Sequence, residues 1–334
     1  MIVVEVVTVT DQLRNSYDVV VVGGGAAGLS GALMLARVRR SVVVIDAGAP
    51  RNAPAAGVHG LLAHDGIRPA ELLDRGRAEV RRYGGQVVTV EVTTAARDTE
   101  GFTVALADGR SVRARRLLVA TGLVDELPDV PGVRERWGRD VVHCPYCHGW
   151  ELRDQAIGVL ASGPMSTHQA LLFRQLSDDV TYFTHMMPLN HEQAEQLAAR
   201  SIRVADGEVA SLEVVKDHLT GVRLWDGTVV ARDALVVSTR MVARAGFLAA
   251  LGLHPTEHPS GLGEHIPADP TGRTDIPGVW VAGNATDLAA QVGASAAAGA
   301  HAAAQINADL VAEETRQAVA AHQAPFLAEP QAHR

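Results

Sequence analysis

Residues 18–46 constrain the fold more than any other stretch of this chain. Asp18 to Val22 is an apolar, β-branched run of the kind a buried parallel strand needs. It enters Gly23-Gly24-Gly25-Ala26-Ala27-Gly28, and an Ala/Leu-rich segment that reads as a helix follows to about Val38. Ser41 to Ile45 then reads as a second strand, ending at Asp46. Each part of this order has a physical task. Gly23 permits the tight turn, Gly25 lets a pyrophosphate approach the backbone, and Gly28 lets helix and strand pack closely. The pyrophosphate meets the helix N-terminus at Ala26 and Ala27, and Asp46 stands where a carboxylate accepts from ribose hydroxyls.

A second unit of the same kind begins at Ala156. Ala156 to Leu160 reads as a strand, Thr167 to Leu176 as a helix and Val180 to Thr184 as a strand. The loop between the first two is Ala161-Ser162-Gly163-Pro164-Met165-Ser166, so only the middle of three glycine positions is kept. Ala161 puts a Cβ where a tight turn is needed, and Pro164 removes an amide donor from the phosphate cradle. The second strand runs into His185-Met186-Met187, with no acid for a ribose and no Arg for a 2′-phosphate. We expect the fold to be retained and its nicotinamide-nucleotide site to be weak or lost. Each unit is followed by a hairpin signal, Asp108-Gly109 in the first and Asp226-Gly227 in the second. This internal duplication predicts an α/β protein with two Rossmann-like dinucleotide-binding domains, the second inserted into the first. Pro128, Pro131 and Gly132 mark one crossing, and Ser238 to Arg244 the return. The expected divisions are 1–123, 124–240 and 241–334. Gly278 to Asn284 reads as a strand and turn, Gln291 to Ala308 as a helix, either an ordinary packed one or one whose first amides face a second part of a nucleotide, and Glu313 to Arg334 as a helix end and loose tail.

Cys144 and Cys147 are the only cysteines, in Cys144-Pro145-Tyr146-Cys147-His148. A pair this close is a poor staple and a good reversible redox couple, and His143 or His148 could take or supply the proton. Two other readings share the pattern: a c-type haem attachment site, and a zinc site made by His143, Cys144, Cys147 and His148.

The chain has 334 residues, 47% of them hydrophobic, and a net charge of −8. That length fits two domains, and the acidic balance without a basic run argues against nucleic acid. Met1 to Thr10 carries Glu5 and no basic start, so it does not read as a signal peptide, and no apolar run suits a bilayer. The expectation is a cytoplasmic protein with a cycling dithiol, which removes the support for haem.

Taken together, these residues resemble the low-molecular-weight thioredoxin reductase family over nearly the whole chain. The resemblance rests on the Gly23 motif, Ala120-Thr121-Gly122, the Cys pair, Val281-Ala282-Gly283-Asn284 and Gln291-Val292. It implies FAD held by the first motif with Asp46, Ala120, Thr121, Gly283, Asn284, Gln291 and Val292, and no metal. It also implies a homodimer. Departures from the family lie at His148 in place of an Asp, at Ala161 and Ser166, at His185-Met186-Met187 in place of a basic cluster, and at Asn284 for an Asp. With the Cys-x-x-Cys-His-Gly-aromatic-Glu string, they are similar to the dithiol oxidase branch, flavoenzymes that close disulfides in gliotoxin- and holomycin-type natural products. That branch implies a small-molecule dithiol as substrate, oxygen as acceptor, Cys144 as the attacked sulfur, Cys147 facing the flavin and His148 as the base. The competing readings are a reductase fed by NADPH or ferredoxin, and a non-enzymatic redox sensor.

Overall fold

The computed structural model describes residues 13–327, with side chains to residue 323. The chain builds part of one parallel sheet, leaves it to build a second, and returns to complete the first. In the first sheet Gln86–Thr89, Val42–Asp46, Ser16–Val22 and Ser111–Val119 lie side by side and parallel. The long strand Ser111–Val119 has two sets of partners on its other edge. Its first half pairs antiparallel with Gly101–Leu106, and Leu117 to Val119 pair parallel with Val279–Val281. The unit is therefore closed by residues from the far end of the chain. The second sheet is all parallel, in the order Arg203–Ala205, Val180–Phe183, Ile157–Leu160, Ala234–Val237, Val141–Val142. Every residue of its three central strands is buried, which is why they read as unbroken apolar runs. The two-unit α/β architecture is thus present.

The crossings between the sheets form an antiparallel ribbon, Leu123–Glu126 against Arg240–Ala243. Both Asp-Gly turns occur, with Gly109 and Gly227 at φ of 86° and 91°, a region open mainly to glycine. No described helix is long and apolar enough to cross a membrane. The reading of Met1 to Thr10 falls outside the described residues.

One expectation is overturned. The last helix does not end near residue 308 and give way to a tail at Glu313; it runs Val292–Leu327. Its early part crosses Ala26–Arg37 so closely that a Cβ on Gly299 would overlap the carbonyl of Ala27. Further along, the polar residues are anchored rather than loose. Glu314 pairs with Arg40 and Arg115 at 2.6 Å each, and Asp309 pairs with Arg116 at 2.7 Å. Glu313 pairs with Arg115 and Arg116. A polar segment can continue a helix when its charges face a fixed cationic edge. Residues 328–334 lie outside the described residues.

Candidate active site

One cavity of about 610 Å³ runs between the two units, from the first glycine loop to the cysteine pair. At one end the strand Ser16–Val22 delivers Gly23 into a turn with φ 102°, where a Cβ would strike the carbonyl of Ala120. Gly28 packs helix against loop: its Cβ would strike the carbonyl of Gly23. Gly25 differs from both. A Cβ there would meet nothing within 4 Å of protein, because it would point into the cavity. Gly25 is also the N-cap of Ala26–Arg37, with no side chain occupying the first-turn amides. A group with phosphate chemistry fits this cradle, which one methyl would begin to fill. Asp46 lines the same end, with its Oδ2 3.3 Å from Arg77.

The opposite wall comes from the returning segment. Gly283, Asn284, Gln291 and Val292 line the cavity beside Ala120 and Thr121. Asn284 donates through Nδ2 to the carbonyls of Asp287, Leu288 and Ala290, at 3.1, 3.2 and 2.9 Å. A carboxylate could not donate to them, so the amide at this position has a structural cause. Thr121 Oγ1 donates to the carbonyl of Arg244 at 2.7 Å, tying the crossing shut.

At the other end lie Cys144, Cys147 and His148, on and just before the short helix Pro145–His148. The two thiols are pushed in opposite directions. Cys144 is drawn down to about 7, first by the hydrogen bond from the Cys147 thiol. The amides of Cys147 and Tyr146 and the cation of Arg51 add to this against the opposing effect of burial. Cys147 is pushed well up by Cys144 and by burial. Burial also lowers His148, with His59 reinforcing that and Glu151 opposing it. Its imidazole is therefore neutral near pH 7. Both ring nitrogens are buried and have no protein partner. Among the described residues, no group of three or more His, Cys, Asp or Glu is arranged to hold a metal ion.

Thirteen of the expected residues face one space: Gly23, Gly25, Ala26, Ala27, Asp46, Ala120, Thr121, Cys144, Cys147, Gly283, Asn284, Gln291 and Val292. His148 joins them, and Gly28 alone stands behind the wall. Sequence reading missed Arg51 and Asp125. Arg51 grips Asp125 through Nε and Nη2 at 2.6 and 2.7 Å, and Thr239 Oγ1 donates to the same carboxylate at 2.7 Å. Burial alone would raise Asp125; Arg51 and Thr239 reverse that and hold it below the usual carboxylate range. Arg51 sits in a loop with no regular pattern, so nothing short of the fold brings it to the cysteines.

The second glycine loop is occupied by its own chain. Ser166 Oγ accepts from the amides of Ser162 and Gly163, at 3.1 Å each. These are donors that a phosphate would otherwise take.

A model of the pyridine nucleotide-disulphide oxidoreductase family matches residues 17–322. The chain belongs to that family. This oxidoreductase is 32% identical over 286 residues to thioredoxin reductase tcpT of Claviceps purpurea, covering 81% of this chain and 87% of that one. Among solved structures it is similar to HlmI, with 47% identity, a TM-score of 0.88, and 95% and 99% of the two chains covered. It is also similar to an oxidoreductase from Agrobacterium tumefaciens, with 35% identity, a TM-score of 0.84, and 89% and 99% covered. The resemblance to thioredoxin reductases is thereby borne out: the protein is a flavoprotein thiol/disulfide oxidoreductase.

Proposed function

We propose that this oxidoreductase is an FAD-dependent dithiol oxidase that closes an intramolecular disulfide in a small-molecule, natural-product dithiol, passing the electrons to oxygen with hydrogen peroxide as product. The observation that carries this reading is Ser166, whose hydroxyl fills the amide cradle of the second unit. A dinucleotide loop satisfied from within is a poor entry for electrons from NADPH, which leaves the thiols as their source. That weighs against the reductase alternative.

FAD would lie along Gly23, Gly25, Ala26 and Ala27 with its ribose toward Asp46, and Ala120, Thr121, Gly283, Asn284, Gln291 and Val292 would form its other wall. Bound there, it takes up the electron pair released when the substrate dithiol becomes a disulfide. The remaining steps belong to side chains. A substrate thiolate attacks Cys144 of the Cys144–Cys147 disulfide, and Cys147 leaves. The second substrate sulfur then attacks the first and Cys144 leaves. A thiol with low pKa leaves faster, so the value near 7 suits Cys144 to this second displacement. His148, neutral and without a protein partner, takes the proton of an attacking thiol.

The test is turnover of dithiothreitol in air with both products measured. The expected result is one hydrogen peroxide per dithiol oxidised. Dithiol oxidation without peroxide would overturn oxygen as the two-electron acceptor.

A further inference from the structure

A second imidazole stands at the cysteine pair, and the chain fixes its tautomer. His143 immediately precedes Cys144 and lines the same cavity. Its Nδ1 is 3.1 Å from the carbonyl of Val237 and 3.2 Å from Nε2 of Gln169. The Val237 carbonyl can only accept, whereas the Gln169 amide has the carbonyl of His143 as another acceptor, so Nδ1 carries the hydrogen and in a neutral ring Nε2 is a bare acceptor.

The backbone of His143 is held by a buried chain of donors that can be followed in one direction. Gln169 Nε2 donates to the carbonyl of His143 at 3.1 Å, which orients the amide and turns Oε1 away. Gln169 Oε1 accepts from Ser238 Oγ at 2.6 Å. Ser238 Oγ, its hydrogen used, accepts from Ser166 Oγ at 3.3 Å. Ser166 Oγ accepts in turn from the amides of Ser162 and Gly163. Gln169, Ser238 and Ser166 are 6%, 5% and 1% exposed, so each would be costly to leave unpaired. The residues of the altered glycine loop thus reach the peptide that carries His143 and Cys144.

We propose that His143 is a second base of the reaction, its Nε2 held ready by Val237, and that the altered glycine loop now serves as its scaffold. The proposal rests on the dithiol-oxidase reading and deepens it. Forming a disulfide from a dithiol removes two protons and two electrons. The electron pair goes to the Cys144–Cys147 bond, which breaks. One thiol proton goes to His148, and the other to Nε2 of His143, which lines the cavity with Cys144. His143 can return that proton to Cys144 as it leaves. Burial keeps His143 below the usual imidazole range, so it is neutral and accepting near pH 7. Arg51 reinforces that, while the Val237 carbonyl and Asp125 oppose it. The other titratable groups lining its cavity are Cys144, Cys147, Tyr146, His59, His148 and His168, with Asp46 and Arg244.

The experiment uses the full-length flavin-loaded protein, mixed without oxygen with dithiothreitol, and follows loss of flavin absorbance from pH 6 to pH 10. In His143→Ala the rate should fall by ~10²–10⁴-fold at pH 6.5 and rise roughly tenfold per pH unit, recovering much of the loss as hydroxide supplies thiolate. His143→Gln, which keeps polarity without a basic nitrogen, should behave the same. Gln169→Leu should show a smaller loss of the same pH shape, because it frees the peptide and leaves the ring. A uniform loss at every pH, parallel to the unmodified protein, would make His143 merely structural and overturn the proposal. If the unmodified protein itself shows no loss of flavin absorbance with dithiothreitol, the dithiol-oxidase reading fails, and the proposal with it.

Discussion

Cys144 and Cys147 are separated by two residues, yet one thiol is drawn down to about 7 and the other pushed up. The sign has a direct consequence. A thiol at about 7 is mostly thiolate at pH 7.5, whereas an ordinary thiol near 8.5 is mostly protonated there. In the reduced protein, iodoacetamide should therefore label Cys144 first, with an apparent midpoint near pH 7, read by mass spectrometry of the peptide. Cys147→Ala removes the largest cause of the shift and should move that midpoint upward. An unchanged midpoint would show that the backbone amides and Arg51 carry the effect. His148 acts on the proton rather than the sulfur. His148→Ala should slow dithiol oxidation by ~10²–10⁴-fold below the thiol pKa and much less above pH 9. Equal loss at all pH values would remove it as a base. At this scale the sequence showed the cysteines and both histidines, because a Cys-x-x-Cys-His string is local. It did not show that His148 lacks partners or that Val237 fixes His143. Val237 lies 94 positions from His143, so that contact exists only once the second sheet has formed.

At the scale of elements, local pattern was legible wherever burial sets it. The strands around both glycine loops read correctly because central parallel strands are apolar on both faces. The altered second loop was also visible at Ala161 and Ser166. Its meaning came from the fold, which brings Ser238 against Ser166 and turns a lost glycine into a hydrogen-bond anchor. The last helix was misread for a related reason. Glu313 and Glu314 look like a polar tail until Arg40, Arg115 and Arg116 of the first unit are placed opposite them. Substituting both acids by Ala should lower unfolding stability by about 1–2 kcal/mol in denaturant titration at low salt, since each partly exposed pair contributes modestly. The difference should shrink at high salt. A salt-independent loss would mean that packing of the helix, rather than its charges, holds it.

For the whole molecule, the central consequence of the architecture is that two nucleotide-type units have diverged in what their loops offer. The first keeps Gly25 open to the cavity, and the second fills its cradle with Ser166. The parallel sheet of the inserted unit carries the cysteine pair to the cavity that the first unit's loop also lines. Electrons should accordingly enter through the cysteines. The direct measurement is anaerobic mixing of the flavin-loaded protein with either NADPH or dithiothreitol, followed by flavin absorbance. The account predicts loss of absorbance with the dithiol and little or none with NADPH at the same concentration. Rapid and complete loss with NADPH would contradict it and return the protein to the reductases.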